Sequence, residues 1–156
     1  AYLGLPVYGP SDADYPFLPY HVQGFTTEEV EQVVKDFGTA TKRAIQAGFD
    51  GIEIHGANHY LIQQFFSRFS NKRTDRWGDP ESFPLAVANE VFKAVTEFAP
   101  KNFIVGYRIS PEEINPDSIG YTWHESAKLV KQLTGRYPFD KETGLSMKTA
   151  GLFLIF

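Results

Sequence analysis

The run His55-Gly56-Ala57-Asn58-His59-Tyr60 gathers two imidazoles, an amide and a phenol in one short segment. Such a set can polarise a carbonyl oxygen and hand over a proton, which is general acid–base and electrostatic catalysis. The opposing reading stands beside it: polar residues at a strand end that satisfy loop carbonyls. His55 and His59 are spaced as two helical metal ligands would be, but Gly56 disfavours a helix and no third ligand is evident. A metal is therefore not expected. Arg108 is the second candidate. It follows Gly106 on an apolar run, and a small residue beneath a long cation leaves room for a planar anionic or carbonyl-rich group. Its alternative partner is Glu53, because an arginine within a sheet needs a counter-charge. Asn71, Arg73, Asp75, Trp77 and Gly78 read as a polar loop tied by an Arg–Asp pair.

These residues need a scaffold. Thr26 and Glu29 form a capping box, and Val30, Val33, Val34, Phe37, Ala40, Thr41, Ala44 and Ile45 then recur at helical spacing up to Gly48. Phe49–His55 reads as a strand with Ile52 and Ile54 on one face and Glu53 and His55 on the other. Tyr60–Phe66 is mostly apolar. Leu85–Phe98 is a second amphipathic helix, Phe103–Ile109 a second strand, and Trp123–Leu133 a third helix behind a Thr122/Glu125 capping box. Strands alternating with helices predict βαβ units and a parallel sheet. In such sheets and barrels ligands bind beyond the carboxyl ends of the strands, where His55 and Arg108 fall.

Residues 1–25 read as an ordered loop and 134–156 as an atypical tail. Within that tail Lys141–Thr149 is polar, and Leu152–Phe156 is the candidate third strand. The whole of 1–156 is expected to be one domain.

Composition bounds the function. The chain has 156 residues, 42% of them hydrophobic and 15% aromatic, so it can build a core. A net charge of −4 argues against a nucleic-acid partner. No apolar run reaches membrane-span length, and Ala1–Pro10 lacks the pattern of a leader. With no Cys, disulfides, thiolate metal sites and cysteine nucleophiles drop out. The expectation is a cytoplasmic protein acting on a small molecule. The glycines at 48, 51 and 56 do not make a dinucleotide-binding fingerprint, and no Walker loop is present.

Ala47–Ile62, Gln64-Phe-Phe-Ser67, Asn71-Lys-Arg-Thr-Asp-Arg-Trp-Gly78 and Val105-Gly-Tyr-Arg-Ile-Ser-Pro111 occur in an order that strongly resembles the old yellow enzyme family. These are FMN-dependent NAD(P)H:flavin oxidoreductases on a (β/α)8 barrel of TIM type. The resemblance implies an α/β fold holding two to three of the barrel's βα units. It also implies FMN as cofactor, NADH or NADPH as reductant, and an activated alkene or similar acceptor. Carried over residue by residue, His55 and Asn58 match the pair that hydrogen-bonds the substrate carbonyl above the flavin. Tyr60 matches the proton donor, and Arg108 the residue at the flavin N1/O2 edge. His59 stands where glycine is commoner, and Asp79 replaces the second glycine of the usual aromatic-Gly-Gly. The flavin phosphate of the family sits at the loops after the last two strands, outside the matched region. An alternative is therefore a non-catalytic barrel piece that self-associates, or docks on the missing barrel portion, and does not retain flavin.

Overall fold

Residues 4–115 and 118–136 and the backbone of one further strand, Leu152–Ile155, are described by a computed structural model. Helix α1, Thr27–Gln46, starts where the capping box predicts. The Glu29 amide donates to the Thr26 hydroxyl at 3.1 Å and the Thr26 amide to the Glu29 carboxylate at 2.8 Å. Gly48, just past the helix, has φ 85°, a conformation open to glycine and costly to most other residues.

Strands β3, Gly51–Gly56, and β4, Ile104–Ile109, run parallel in register, with Glu53 opposite Gly106 and His55 opposite Arg108. Helix α3, Ser82–Phe98, makes the crossover between them. It begins at Ser82 and not at Leu85, because Pro84 is accommodated in a first turn whose amides lack intrahelical acceptors anyway. Ile54, Val105, Tyr107 and Ile109 alternate along the two strands. They are buried in one core with Val30 of α1, Phe83, Val87 and Val91 of α3, and Leu129 and Leu133 of helix α4, Trp123–Arg136. Burial pushes the Tyr107 phenol up, so it stays neutral. Strand β7, Leu152–Ile155, pairs parallel with the other edge of β4, Leu152 opposite Val105. It realises the late apolar segment. Phe156 and the polar stretch Lys141–Thr149 lie outside the described residues. The order β3-β4-β7 follows the chain without reversal, as in a barrel wall and unlike a doubly wound sheet.

Residues 1–25 depart from the loop reading, and a further pair of short strands follows β4. Within residues 1–25, β1, Val7–Gly9, pairs in parallel with β2, Val22–Gly24. Beyond Pro111, β5, Glu113–Asn115, and β6, Ser118–Tyr121, form an antiparallel hairpin. Strands this short carry too little alternation to be read locally, and long-range pairing defines them. Tyr60–Phe66 yields a short helix α2, Leu61–Phe66. Only part of the second capping box forms. Glu125 accepts from both the amide and the hydroxyl of Thr122, and the bond from the Glu125 amide goes to the Thr122 carbonyl. The Glu125 carboxylate also meets Arg68, which lowers its pKa to about 2. No helix among the described residues is long and apolar enough to cross a membrane.

The 70s loop locks the amino-terminal segment to the rest. The Arg73 side chain, 11% exposed, donates two bonds to Asp75, at 2.9 and 2.6 Å. Its remaining arm donates to the carbonyls of Pro10 and Phe25. Asp75 also accepts from the Thr27 hydroxyl and the Trp77 amide. Gly78 packs so tightly that a Cβ would come within 2.2 Å of the Arg73 carbonyl oxygen. Asp79 has φ −71°, needs no glycine, and accepts the Glu81 amide on its side chain.

The Arg73 guanidinium beside Asp75 holds its carboxyl far below the usual carboxylate range. A carboxyl depressed in the folded state contributes stability above its unfolded pKa and loses it as pH falls. Urea unfolding across a pH series should therefore show a shallower acid decline below about pH 4 in Asp75→Asn than in the wild type. An unchanged decline would remove Asp75 from this role. Arg73→Met, which strands a partly buried carboxylate and two carbonyls, should cost about 3 kcal/mol in the same assay at neutral pH.

Candidate functional site

The carboxyl ends of β3 and β4 lie side by side, and their alternation sends Glu53, His55 and Arg108 to the face opposite the core. Arg108 Nε donates to Glu53 Oε1 at 2.7 Å and one Nη to Oε2 at 3.3 Å. The counter-charge reading of Arg108 is therefore realised. Glu53 also pushes the guanidinium above its ordinary pKa, so the cation is permanent. The pair uses only part of the fork, and the second Nη makes no bond among the described residues.

His55 meets Tyr60 edge to face, with ring centroids 4.9 Å apart at 61°. His55 Nδ1 is buried and has no partner among the described residues. Tyr60 is the N-cap residue of α2 and is 60% exposed. Between them the chain turns through Asn58, φ 57°, and His59, φ 58°. Asparagine and histidine enter this left-handed region more often than other non-glycine residues, but each still carries a Cβ that crowds the backbone there. That backbone explains why glycine is the commoner residue at the position of His59. The Asn58 amide donates to Ser110 Oγ at 3.3 Å, which ties the loop across to the end of β4.

His55, Asn58, Tyr60 and Arg108 are thus gathered at one end of one strand pair. Among the described residues no three His, Asp or Glu side chains are grouped as a metal site would need. Sequence reasoning missed Glu113. Its side chain is 3% exposed and lies under the loop, accepting from Gln63, Ser67 and Asn115. Gln63 and Ser67, spaced one helical turn apart in an apolar stretch, were the available signal of a buried polar partner.

The left-handed His59 backbone sets a clear expectation. His59→Val, with a branched Cβ in that region, should be less stable than His59→Gly by about 1–2 kcal/mol. Thermal unfolding of the two variants side by side checks it, and equal stabilities would mean the loop relaxes out of this conformation.

A sequence model of the NADH:flavin oxidoreductase / NADH oxidase family matches residues 10–148. The "Probable NADH-dependent flavin oxidoreductase" of Bacillus subtilis is 53% identical over 131 residues, 81% of this chain and 34% of that protein. The NADH:acrylate oxidoreductase of Vibrio harveyi is 51% identical over 100 residues, 62% of this chain and 10% of that protein. Old Yellow Enzyme from Pichia sp. AKU4542 superposes with a TM-score of 0.70 at 30% identity, covering 99% of this chain and 42% of that structure. The chain spans about a third of the length of the Bacillus relative. By its family match and its barrel-order parallel strands, this chain belongs to the NADH:flavin oxidoreductase / NADH oxidase family of FMN-type flavoproteins and carries part of that family's (β/α)8 barrel.

Proposed function

We propose that this chain works as part of an FMN-dependent enzyme that oxidises NADH or NADPH and reduces an activated alkene or a similar acceptor. The carrying observation is the pairing of His55 with Arg108 at the carboxyl ends of neighbouring parallel strands, where barrels build their sites. FMN, when bound, supplies the hydride relay between donor and acceptor. The residues present fit a flavin ring. A permanent cation with a spare Nη and an imidazole with an unpartnered buried nitrogen stand on one face, with Gly106 next to them in the sheet.

In this reading Arg108 contacts the N1/O2 edge of the ring while keeping Glu53 as its counter-charge. His55 and Asn58, bordering cofactor and substrate alike, hold the acceptor's carbonyl oxygen and draw electron density from the adjoining double bond. Tyr60, in contact with the His55 ring and open to solvent, delivers the proton. NADH is the donor named in both the Bacillus and Vibrio relatives, which supports NADH over NADPH.

A second reading draws on the sheet edges. Among the described residues β3 and β7 each pair along one side only, and such edges recruit other strands. Size-exclusion chromatography with an FMN titration separates the two readings. Flavin binding by a monomer supports the enzyme, and association without binding supports a self-associating barrel piece.

Where FMN binds, Arg108→Ala should weaken it by about tenfold or more, since a charged hydrogen bond contributes about 1.5–3 kcal/mol. Tyr60→Phe should leave flavin reduction by NADH unchanged and slow re-oxidation by an alkene about 10²-fold or more. Stopped-flow measurement of each half-reaction reads this, and equal losses in both would take the proton-donor role from Tyr60.

A further inference from the structure

We infer that Glu113 is a positioning residue: acting through Gln63, it holds the Asn58–His59–Tyr60 loop in the conformation that presents Asn58 and Tyr60. The importance of that loop rests on the function proposed above, whereas the device rests on geometry alone.

An ionised carboxylate only accepts hydrogen bonds. Glu113 Oε2 accepts from Gln63 Nε2 at 2.9 Å, and Oε1 accepts from Ser67 Oγ at 2.8 Å and Asn115 Nδ2 at 3.2 Å. Against such a partner the Gln63 amide has one orientation, nitrogen toward Glu113. Its carbonyl oxygen is then turned to the other side, where it accepts the His59 amide at 3.1 Å. Reversing Gln63 would set oxygen against carboxylate and NH2 against N–H. The charge of Glu113 therefore decides which group of Gln63 meets the loop.

The loop needs that help. Two successive residues, Asn58 and His59, are left-handed, and neither has glycine's freedom there. Gln64 Nε2 donates to the His59 carbonyl at 2.7 Å, so side chains hold both backbone groups of His59. Its ring is engaged as well, with Nδ1 3.7 Å from Glu113 Oε2. Among the described residues no lysine or arginine pairs with Glu113, and its direct hydrogen bonds come from neutral donors. A buried carboxylate without a lysine or arginine partner is an expensive way to fill space. Its acceptor-only character supplies the orientation that a neutral residue would leave open.

A reciprocal exchange tests this on the full chain without flavin, by reading hydrogen exchange of the His59 amide by NMR. Glu113→Gln lets the Gln63 amide turn over, and Gln63→Glu sets two carboxylates face to face. Each single change should speed His59 exchange about tenfold or more. In the double variant the carboxylate at position 63 accepts from the His59 amide and from the new amide at position 113, and exchange should return close to the wild-type rate. Amides in the middle of α3 serve as the control for folding. Should Gln63→Glu fail to fold, Gln63→Met removes the acceptor without adding charge and should expose the same amide. Unchanged exchange in the single variants, or a double variant as fast as the faster single, would overturn the inference. Tyr60→Phe should leave this exchange untouched. A His59 amide that responds as expected in a chain that binds no flavin in the FMN titration would thus sink the proposed function and leave the device standing.

Discussion

The in-register parallel pairing of β3 with β4 is the constraint from which the site follows. Because side chains alternate along a strand, a slip of one residue would exchange the two faces of β4. Val105, Tyr107 and Ile109 would leave the core, and Arg108 would enter it among Phe83, Val87 and Val91. Apolar burial lost on one side and an unpaired cation buried on the other make that slip prohibitive. The packing that stabilises the sheet is therefore the same constraint that sets Arg108 beside His55. Neither residue needs a special device to find the other.

Arg108 shows how a structural role and the proposed functional one need not compete. Glu53, one step down the neighbouring strand, keeps the guanidinium from standing unpaired on the open face. The planar fork has five N–H donors, and Glu53 engages those of Nε and one Nη. The rest stay directed away from Glu53 and can meet a second acceptor without breaking the first contact. A lysine could hold either partner but could not present this rigid division, so the proposed role favours arginine over lysine at this position.

Most of the scaffold was legible because its signals are local. The Thr26–Glu29 box, the apolar stripe of α1 and the alternation at Ile52–His55 each span a few residues, and each formed as read. What was illegible depends on distant partners. Val7–Gly9 becomes a strand only because Val22–Gly24 lies beside it, and Glu113–Asn115 only because Ser118–Tyr121 folds back on it. Glu113 looks like a solvated surface acid after Pro111 and Glu112. Its burial is created by Gln63 and Ser67, about fifty residues earlier in the chain. The candidate site divides along the same line. His55, Asn58, Tyr60 and Arg108 are visible as residue types at strand ends, while the groups that hold them, Ser110, Gln63, Gln64 and Glu113, emerge only from the fold.

The two places where this chain lacks an expected glycine differ in physical kind, and the difference locates the strain. At Asp79 the backbone is ordinary, and the side chain gains a bond to the Glu81 amide, so the replacement costs nothing. The glycine before it is the one that close packing requires. At His59 the backbone is left-handed and a side chain is unwelcome. Compensation is therefore concentrated there: both of its backbone groups and the neighbouring Asn58 amide are held by side chains. Strain that persists only because its surroundings over-determine it belongs to sites that must hold one geometry. In this chain the residue so held lies between Asn58 and Tyr60, and its supports come from α2, the end of β4 and the first residue of the β5–β6 hairpin. Loop, helix and hairpin are thereby fastened into one unit at the carboxyl end of the sheet, the end that carries His55 and Arg108.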